Sequence, residues 1–218
     1  MSETLCQAQG HAWPFAPLRQ AAYRVILADP PWAFRTYNDV DRRKTPEAHY
    51  RTMGLAAIAA LPVAALAHPE GAALALWTTG PMLAHALDIA RARWGFDYKT
   101  GGAWAKRSRG GGGWAFGTGY IFRNAAEFFL LLARGNPRKR LGRAARSQRN
   151  LIEAPAREHS RKPDDLHGVL EALYPGPYCE LFARERRAGW DAWGNEVGKF
   201  DRLHPEPRGL KRESTDPR

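Results

Sequence analysis

The hydrophobic positions of this chain fall into short runs separated by polar loops. Residues 23–29 read Tyr-Arg-Val-Ile-Leu-Ala-Asp, an apolar run that closes on an acid. A continuous apolar run of this length predicts a strand buried on both faces, as in a parallel sheet. Pro30 and Pro31 end it, because proline cannot donate to a ladder. Ala72–Thr79 (AALALWTT) and Tyr178–Arg184 (YCELFAR) predict further buried strands. A strand pair is predicted around Phe96–Lys106 and Glu127–Arg134, with a short strand at Asn150–Glu153. Trp190–Val197 closes the domain.

Between these runs the period changes. Met53, Leu55, Ile58, Leu61, Val63 and Leu66 predict helical turns interrupted by Pro62. Pro81 stands at a helix start, and Met82, Leu83, Ala86, Leu87, Ile89 and Ala90 give that helix an apolar face. Pro163 opens another helix with Asp164 and Asp165 in its first turn, where they complement the helix dipole. Leu166, Val169, Leu170 and Leu173 form its stripe. Strands alternating with helices predict an α/β fold around an open, mostly parallel sheet. The expected organisation is an N-terminal arm at 1–20, one domain at 21–200 and a polar, disordered tail at 201–218. Residues 33–50, polar and charged, are expected to form a mobile loop.

Composition narrows the class. With 218 residues, 44% hydrophobic and 11% aromatic, the chain can bury a real core, which excludes wholesale disorder. No apolar stretch approaches the roughly 18 residues of a membrane span. The opening residues MSETLCQAQG lack the basic and apolar regions of a secretory signal. Two cysteines, Cys6 and Cys179, make neither a disulfide framework nor a Cys-rich zinc site, and the seven histidines lack ligand spacing. The expectation is a reduced, cytoplasmic protein without a metal. The charge points to a partner: 33 Lys+Arg against 22 Asp+Glu give +11. Arginine supplies 26 of the 33, and arginine favours bidentate phosphate contacts and stacking on bases.

The sharpest local feature is Asp29-Pro30-Pro31-Trp32. Its chemistry follows from the acceptors it offers. The exocyclic amino group of adenine is a poor nucleophile, because its lone pair is delocalised into the ring. Two acceptors on its two N–H bonds draw the nitrogen towards tetrahedral geometry and free that pair. The Asp29 carboxylate and the Pro30 carbonyl are such acceptors. Pro31 stiffens the turn, and Trp32 can stack on the base. A base inside a duplex must be extruded to reach such a site. Catalysis would then rest on alignment and electrostatics.

This tetrad and its flanking strand resemble the adenine N(6)-methyltransferase family called MT-A seventy. The resemblance runs from about Tyr23 to Phe200. It includes ALWTT at 75–79, Gly117-Thr118-Gly119 ahead of Glu127, Lys162-Pro163-Asp164 before a helix, Glu180-Leu181-Phe182-Ala183-Arg184, and Trp193-Gly194-Asn195-Glu196. It implies a Rossmann-like methyltransferase fold in the permuted, β-type motif order. It also implies S-adenosylmethionine as methyl donor, and adenine in DNA, or alternatively RNA, as acceptor. Asp29, Pro30, Pro31 and Trp32 become the catalytic set. Asp29, Lys162, Glu180, Phe182, Arg184, Asn195 and Glu196 become the cofactor set. The compactness of the chain resembles the bacterial or phage branch. A homo-oligomer or a companion subunit stays open, as does the third reading of an inactive nucleic-acid-binding subunit.

Two basic segments are candidates for the nucleic acid. Lys106, Arg107 and Arg109 precede a glycine-rich stretch with Trp114. The window 134–149 holds Arg138, Lys139, Arg140 and Arg143 among its seven cations and no acid. Cations interleaved with an aromatic suit phosphate tracking and base stacking.

Overall fold

A computed structural model of the chain describes residues 12–32, 53–110, 112–117, 121–136, 141–142 and 147–201. The strands are β1 (Val25–Ala28), β2 (Gly71–Thr78), β3 (Asp97–Arg107), β4 (Ala126–Gly135), β5 (Leu151–Pro155), β6 (Tyr178–Leu181) and β7 (Trp190–Trp193). The α-helices are α1 (Leu55–Ala59), α2 (Leu83–Asp88) and α3 (Asp165–Leu173). The strands form one sheet in the order β5-β3-β4-β2-β1-β6-β7. β1 pairs parallel with β2 and β6, β3 with β5, and β6 with β7. Among these strands β4 alone runs against its neighbours, antiparallel to β2 and β3. This is the Rossmann-like, mostly parallel sheet that the alternating pattern predicts.

Side chains on successive strand residues point to opposite faces, and the core divides accordingly. Ile26, Ala28, Leu74, Leu76, Leu130, Leu132, Cys179 and Leu181 face α1 and α2, with Ile58, Met82 and Ala86 packed on them. Val25, Leu27, Ala73, Ala75, Trp77, Trp104 and Phe129 face α3 through Leu166 and Leu170. Every residue of β1 and β2 is buried, which is why these strands lack polar alternation.

Local chemistry sets the element ends. Pro62 separates α1 from a 3-10 turn at Val63–Leu66. Pro81 lies in a 3-10 turn at Gly80–Met82 that leads into α2. A π-helical turn at Ile89–Arg93 follows. The expected strand Tyr178–Arg184 is shorter, because Phe182 takes φ 62 and turns the chain out of the sheet. A bulky residue in the left-handed region is sterically costly, and here it stands where a cleft begins. Residues 12–20 are irregular, as an arm would be, but Phe15 and Leu18 are buried in the core. The Trp13 indole N–H donates to the Leu18 carbonyl at 2.7 Å. The expected loop at 33–50 and the tail beyond Asp201 lie outside the described residues.

The chain builds outward from β1 to β2 on one side. After β5 it crosses through α3 and returns as β6 on the other side of β1. A crevice opens at the carboxyl ends of strands where the strand order reverses in this way. Asp29 stands there directly after β1, its N–H reaching the Leu181 carbonyl at 3.5 Å.

Candidate active site

Asp29, Lys162, Glu180, Phe182 and Arg184 line one cleft at this edge, together with Trp77, Arg161, Asp164, His167, Glu185 and Phe200. Residues 133 positions apart meet here, since the Lys162 ammonium donates to Asp29 Oδ2 at 2.8 Å. The same ammonium lies 3.2 Å from Glu127 Oε2. Glu127 Oε1 in turn accepts from Lys106, whose ammonium sits 4.6 Å from the Trp104 ring centroid. The result is an alternating chain of charge, Lys106–Glu127–Lys162–Asp29, with each member mostly shielded from water.

That shielding sets the protonation states. Burial penalises the Lys162 ammonium, but the carboxylates of Asp29 and Glu127 outweigh it and raise its pKa. Burial likewise penalises the Glu127 carboxylate, and Lys162 and Lys106 outweigh it and lower its pKa. Glu127 and Lys162 therefore stay ionised around neutrality, as a pair of opposite charges at the centre of the chain.

The tetrad has its own geometry. The Pro30 carbonyl accepts the Trp32 N–H at 2.8 Å, which leaves it one further lone pair. The Pro31 carbonyl accepts the Met53 N–H at 3.0 Å. Trp32 is 4% exposed, and its indole N–H donates to the Trp77 carbonyl at 3.0 Å. Trp32 therefore braces the turn from within the core and, in this arrangement, offers no free ring face to a base. The aromatic surface on the cleft comes from Trp77, Phe182 and Phe200 instead.

Beyond Phe182, the Ala183 N–H donates to the Trp193 carbonyl at 2.9 Å. Gly194 packs so closely on this turn that a Cβ there would lie 2.6 Å from the Ala183 oxygen. Asn195 and Glu196 lie past the turn and do not line the cleft. Asn195 is exposed, and the Glu196 carboxylate pairs with Lys199 at 2.6 Å. Glu180 Oε2 lies 2.9 Å from His167 Nε2, which donates to it in the tautomer that carries the proton there. His167 Nδ1 is buried without a partner in this cleft.

The nucleic-acid candidates separate. Lys106 belongs to the ionic chain, so its charge is already engaged by Glu127. Arg107 pairs with Glu153 at 2.8 Å and lies 3.8 Å over the Trp114 ring. Arg109 and Trp114 are exposed. Arg138, Lys139, Arg140 and Arg143 lie outside the described residues.

Glu127 is the functional candidate that the reading of single motifs passes over. Its signal was present: an acid that opens an apolar run, where Asp29 is an acid that closes one. Because β4 runs antiparallel, the start of β4 and the end of β1 share an edge. Arg161, His167 and Phe200 carry no comparable signal, since only the fold brings them to the cleft.

An open sheet of this order, with an acid-Pro-Pro turn at its switch point, defines a Rossmann-like methyltransferase fold. The profile of the MT-A70 family matches residues 23–196, and the chain belongs to that family. It is similar to the Type II methyltransferase M.MunI of Mycoplasma sp, 29% identical over 84% of this chain and 81% of that protein. It is also similar to the N6-methyladenosine RNA methyltransferase MTA1 of Cryphonectria parasitica, 34% identical over 82% of this chain and 52% of that protein. The N(6)-adenosine-methyltransferase subunit METTL3 of Danio rerio is 28% identical over 84% of this chain and 30% of its own length. The chain thus spans most of the first relative, half of the second and under a third of the third.

The MT-A70 methyltransferases are adenine N6-methyltransferases that use S-adenosylmethionine as methyl donor. The cleft has a donor set that fits such a molecule. The Glu180 carboxylate suits ribose hydroxyls, the Phe182 and Phe200 rings suit a base, and Arg184 suits a carboxylate; the Lys162 ammonium is already directed at Asp29, Glu127 and the Ser160 carbonyl. The unpartnered His167 Nδ1 adds a polar atom that a polar ligand can satisfy. Among the described residues no group of His, Cys, Asp and Glu is arranged to hold a metal, and no helix is long and apolar enough to cross a membrane.

Proposed function

We propose that this protein transfers a methyl group to the N6 amino group of adenine in DNA. The observation that carries the reading is Asp29. It is a carboxylate at the carboxyl end of β1, next to the Pro30 carbonyl and beside the cleft. S-adenosylmethionine, when bound, supplies an electrophilic methyl group on a sulfonium. The chain's own residues do the rest. Asp29 and the free lone pair of the Pro30 carbonyl accept the two N–H bonds of the adenine amino group. That makes the nitrogen pair available, and the Asp29 carboxylate offsets the positive charge that develops on the nitrogen until its surplus proton passes to water. Lys162, itself paired with Glu127, holds the Asp29 carboxylate in position. Lys162, Glu180, Phe182 and Arg184 are assigned to the donor; Asn195 and Glu196 are assigned to it through the Trp193–Glu196 motif, which would require a shift of the Glu196–Lys199 pair.

DNA ranks ahead of RNA because a relative of which this chain covers 81% is a Type II methyltransferase. RNA is the second reading, favoured by the similarity to an RNA methyltransferase over half of that protein. An intact acid-Pro-Pro-aromatic tetrad argues for an active enzyme over an inactive binding subunit. The test is transfer of labelled methyl groups from S-adenosylmethionine to DNA, RNA and protein in parallel, with the modified nucleoside identified. N6-methyladenine in DNA is the expected product. Label confined to RNA would reassign the substrate, and label confined to protein would sink the reading.

A further inference from the structure

The segment that joins β3 to β4 leaves the sheet at the same edge as Asp29. Its two ends are residues of the ionic chain, since Lys106 and Glu127 pair with each other and Glu127 reaches Lys162. Hydrogen bonds continue beyond the sheet: Ser108 N–H to the Gly113 carbonyl at 2.8 Å, Ala115 N–H to the Lys106 carbonyl at 2.8 Å, and Gly117 N–H to the Asn124 carbonyl at 3.0 Å. Of these, the Gly117 to Asn124 bond ties the described residues of the two limbs together beyond the sheet. It carries Phe116 at 81% exposure, Ile121 at 78% and Phe122 at 82%, beside Trp114 at 54%. A set of large apolar side chains this exposed marks a surface that meets a partner.

Charge identifies the partner. No Asp or Glu occurs between Lys106 and Glu127, while Arg107, Arg109 and Arg123 do. Arg123 lies 5.2 Å over Phe116, which leaves its in-plane N–H groups for an anion, whereas Arg107 lies over Trp114 with its Nε–H on Glu153, so it has only its terminal N–H groups to offer. A second copy docking through the same patch would bring these arginines against themselves. A phosphate backbone meets them with opposite charge, and a base stack accepts the apolar tips.

We propose that Phe116 and Phe122 form a wedge that enters duplex DNA beside the target adenine and holds that base out of the stack. The proposal rests on the adenine-methyltransferase reading and adds its substrate form, a base-paired duplex. Asp29 can bind only an extruded amino group, and extrusion leaves a gap that a stiff apolar side chain fills. Because the hairpin rises from Lys106 and Glu127, the wedge and the acceptor site share one foundation.

The test uses the full chain and the variant Phe116→Ala/Phe122→Ala. Methylated adenines are located with the parent protein, and one such site is built into three oligonucleotides. The first is a paired duplex, the second has the target adenine opposite an abasic position, and the third is single-stranded. Both side chains are exposed, so the unfolding midpoint should not move. The variant should lose about tenfold or more in kcat/KM on the paired duplex and stay within about twofold of the parent on the two pre-opened substrates. With 2-aminopurine at the target, the parent should raise the fluorescence of the duplex and the variant should not. An unaffected variant, or equal loss on all three substrates, overturns the wedge alone. So does a parent dimer that the substitutions convert to a monomer, which would make a second copy the occupant. No transfer by the parent to any of the three overturns the functional reading and the wedge with it.

Discussion

The Lys162 ammonium donates to the Asp29 carboxylate at 2.8 Å where both side chains line the cleft. Two segments with no apparent connection in the chain thereby become one device. A lysine at that distance fixes the carboxylate in direction. That is required of an acceptor that must meet an amino group without reorganising.

Asp29→Ala should abolish most methyl transfer while donor binding persists in part. Lys162 keeps Glu127 as a partner at 3.2 Å, so the cleft retains a cation. A loss on the order of a hundredfold to a thousandfold is expected for removal of one aligned electrostatic group. Asp29→Asn should retain more activity than Asp29→Ala, because the amide oxygen still accepts. Single-turnover rates with calorimetry of donor binding check both. Near-normal turnover by Asp29→Ala would refute the assignment.

Lys162→Ala should destabilise the fold as well as weaken donor affinity. It leaves the Asp29 and Glu127 carboxylates shielded and short of a cation, and breaking a buried pair in this way costs on the order of 3 kcal/mol. Urea unfolding measures the stability, and calorimetry with the donor alone measures the affinity. An unchanged midpoint would mean that the ionic chain contributes nothing to the fold.

Acid should unfold the protein partly through Glu127. Its folded pKa lies below the usual 4.5, so the unfolded chain takes up the proton first as pH falls. The contribution is therefore complete above about pH 4.5 and disappears as pH falls from there through the folded value. Stability measured from pH 7 to pH 3 should drop more steeply in the parent than in Glu127→Gln. Parallel curves would show that the carboxylate is not coupled to folding.

Gly194→Ala should lower donor affinity without touching the cleft itself. The added Cβ would stand 2.6 Å from the Ala183 oxygen, and backbone must move to admit it. That backbone carries Phe182 and Arg184 on either side. Donor titration of the variant is the check, and parent-like affinity would show that the turn yields elsewhere.

Replacing Arg138, Lys139 and Arg140 with Ala should weaken binding to DNA of every sequence. It should also flatten the salt dependence by roughly 0.9 in logarithmic slope for each phosphate that these side chains no longer neutralise. Donor affinity should not change. Binding at several salt concentrations decides this, and identical slopes would leave the window without a role.

Much of this protein is legible in one dimension because each signal is local. The apolar runs of β1 and β2 announce strands buried on both faces. Pro62 and Pro81 mark their helical turns, since a missing N–H acts where it stands. Asp29-Pro30-Pro31 is contiguous, so its acceptors could be recognised without a fold. The role of Trp32 could not, because burial is set by what packs around a ring. The same indole that a motif offers to a base is spent on the Trp77 carbonyl. Phe182 was legible as a strand residue and became the corner of the cleft, through a backbone angle that its side chain does not favour. Glu127 and Lys162 depend wholly on topology. The antiparallel course of β4 and the crossover through α3 bring the two charges to the end of β1. Charges that far apart along a chain interact only after a sheet has removed the distance and the water between them.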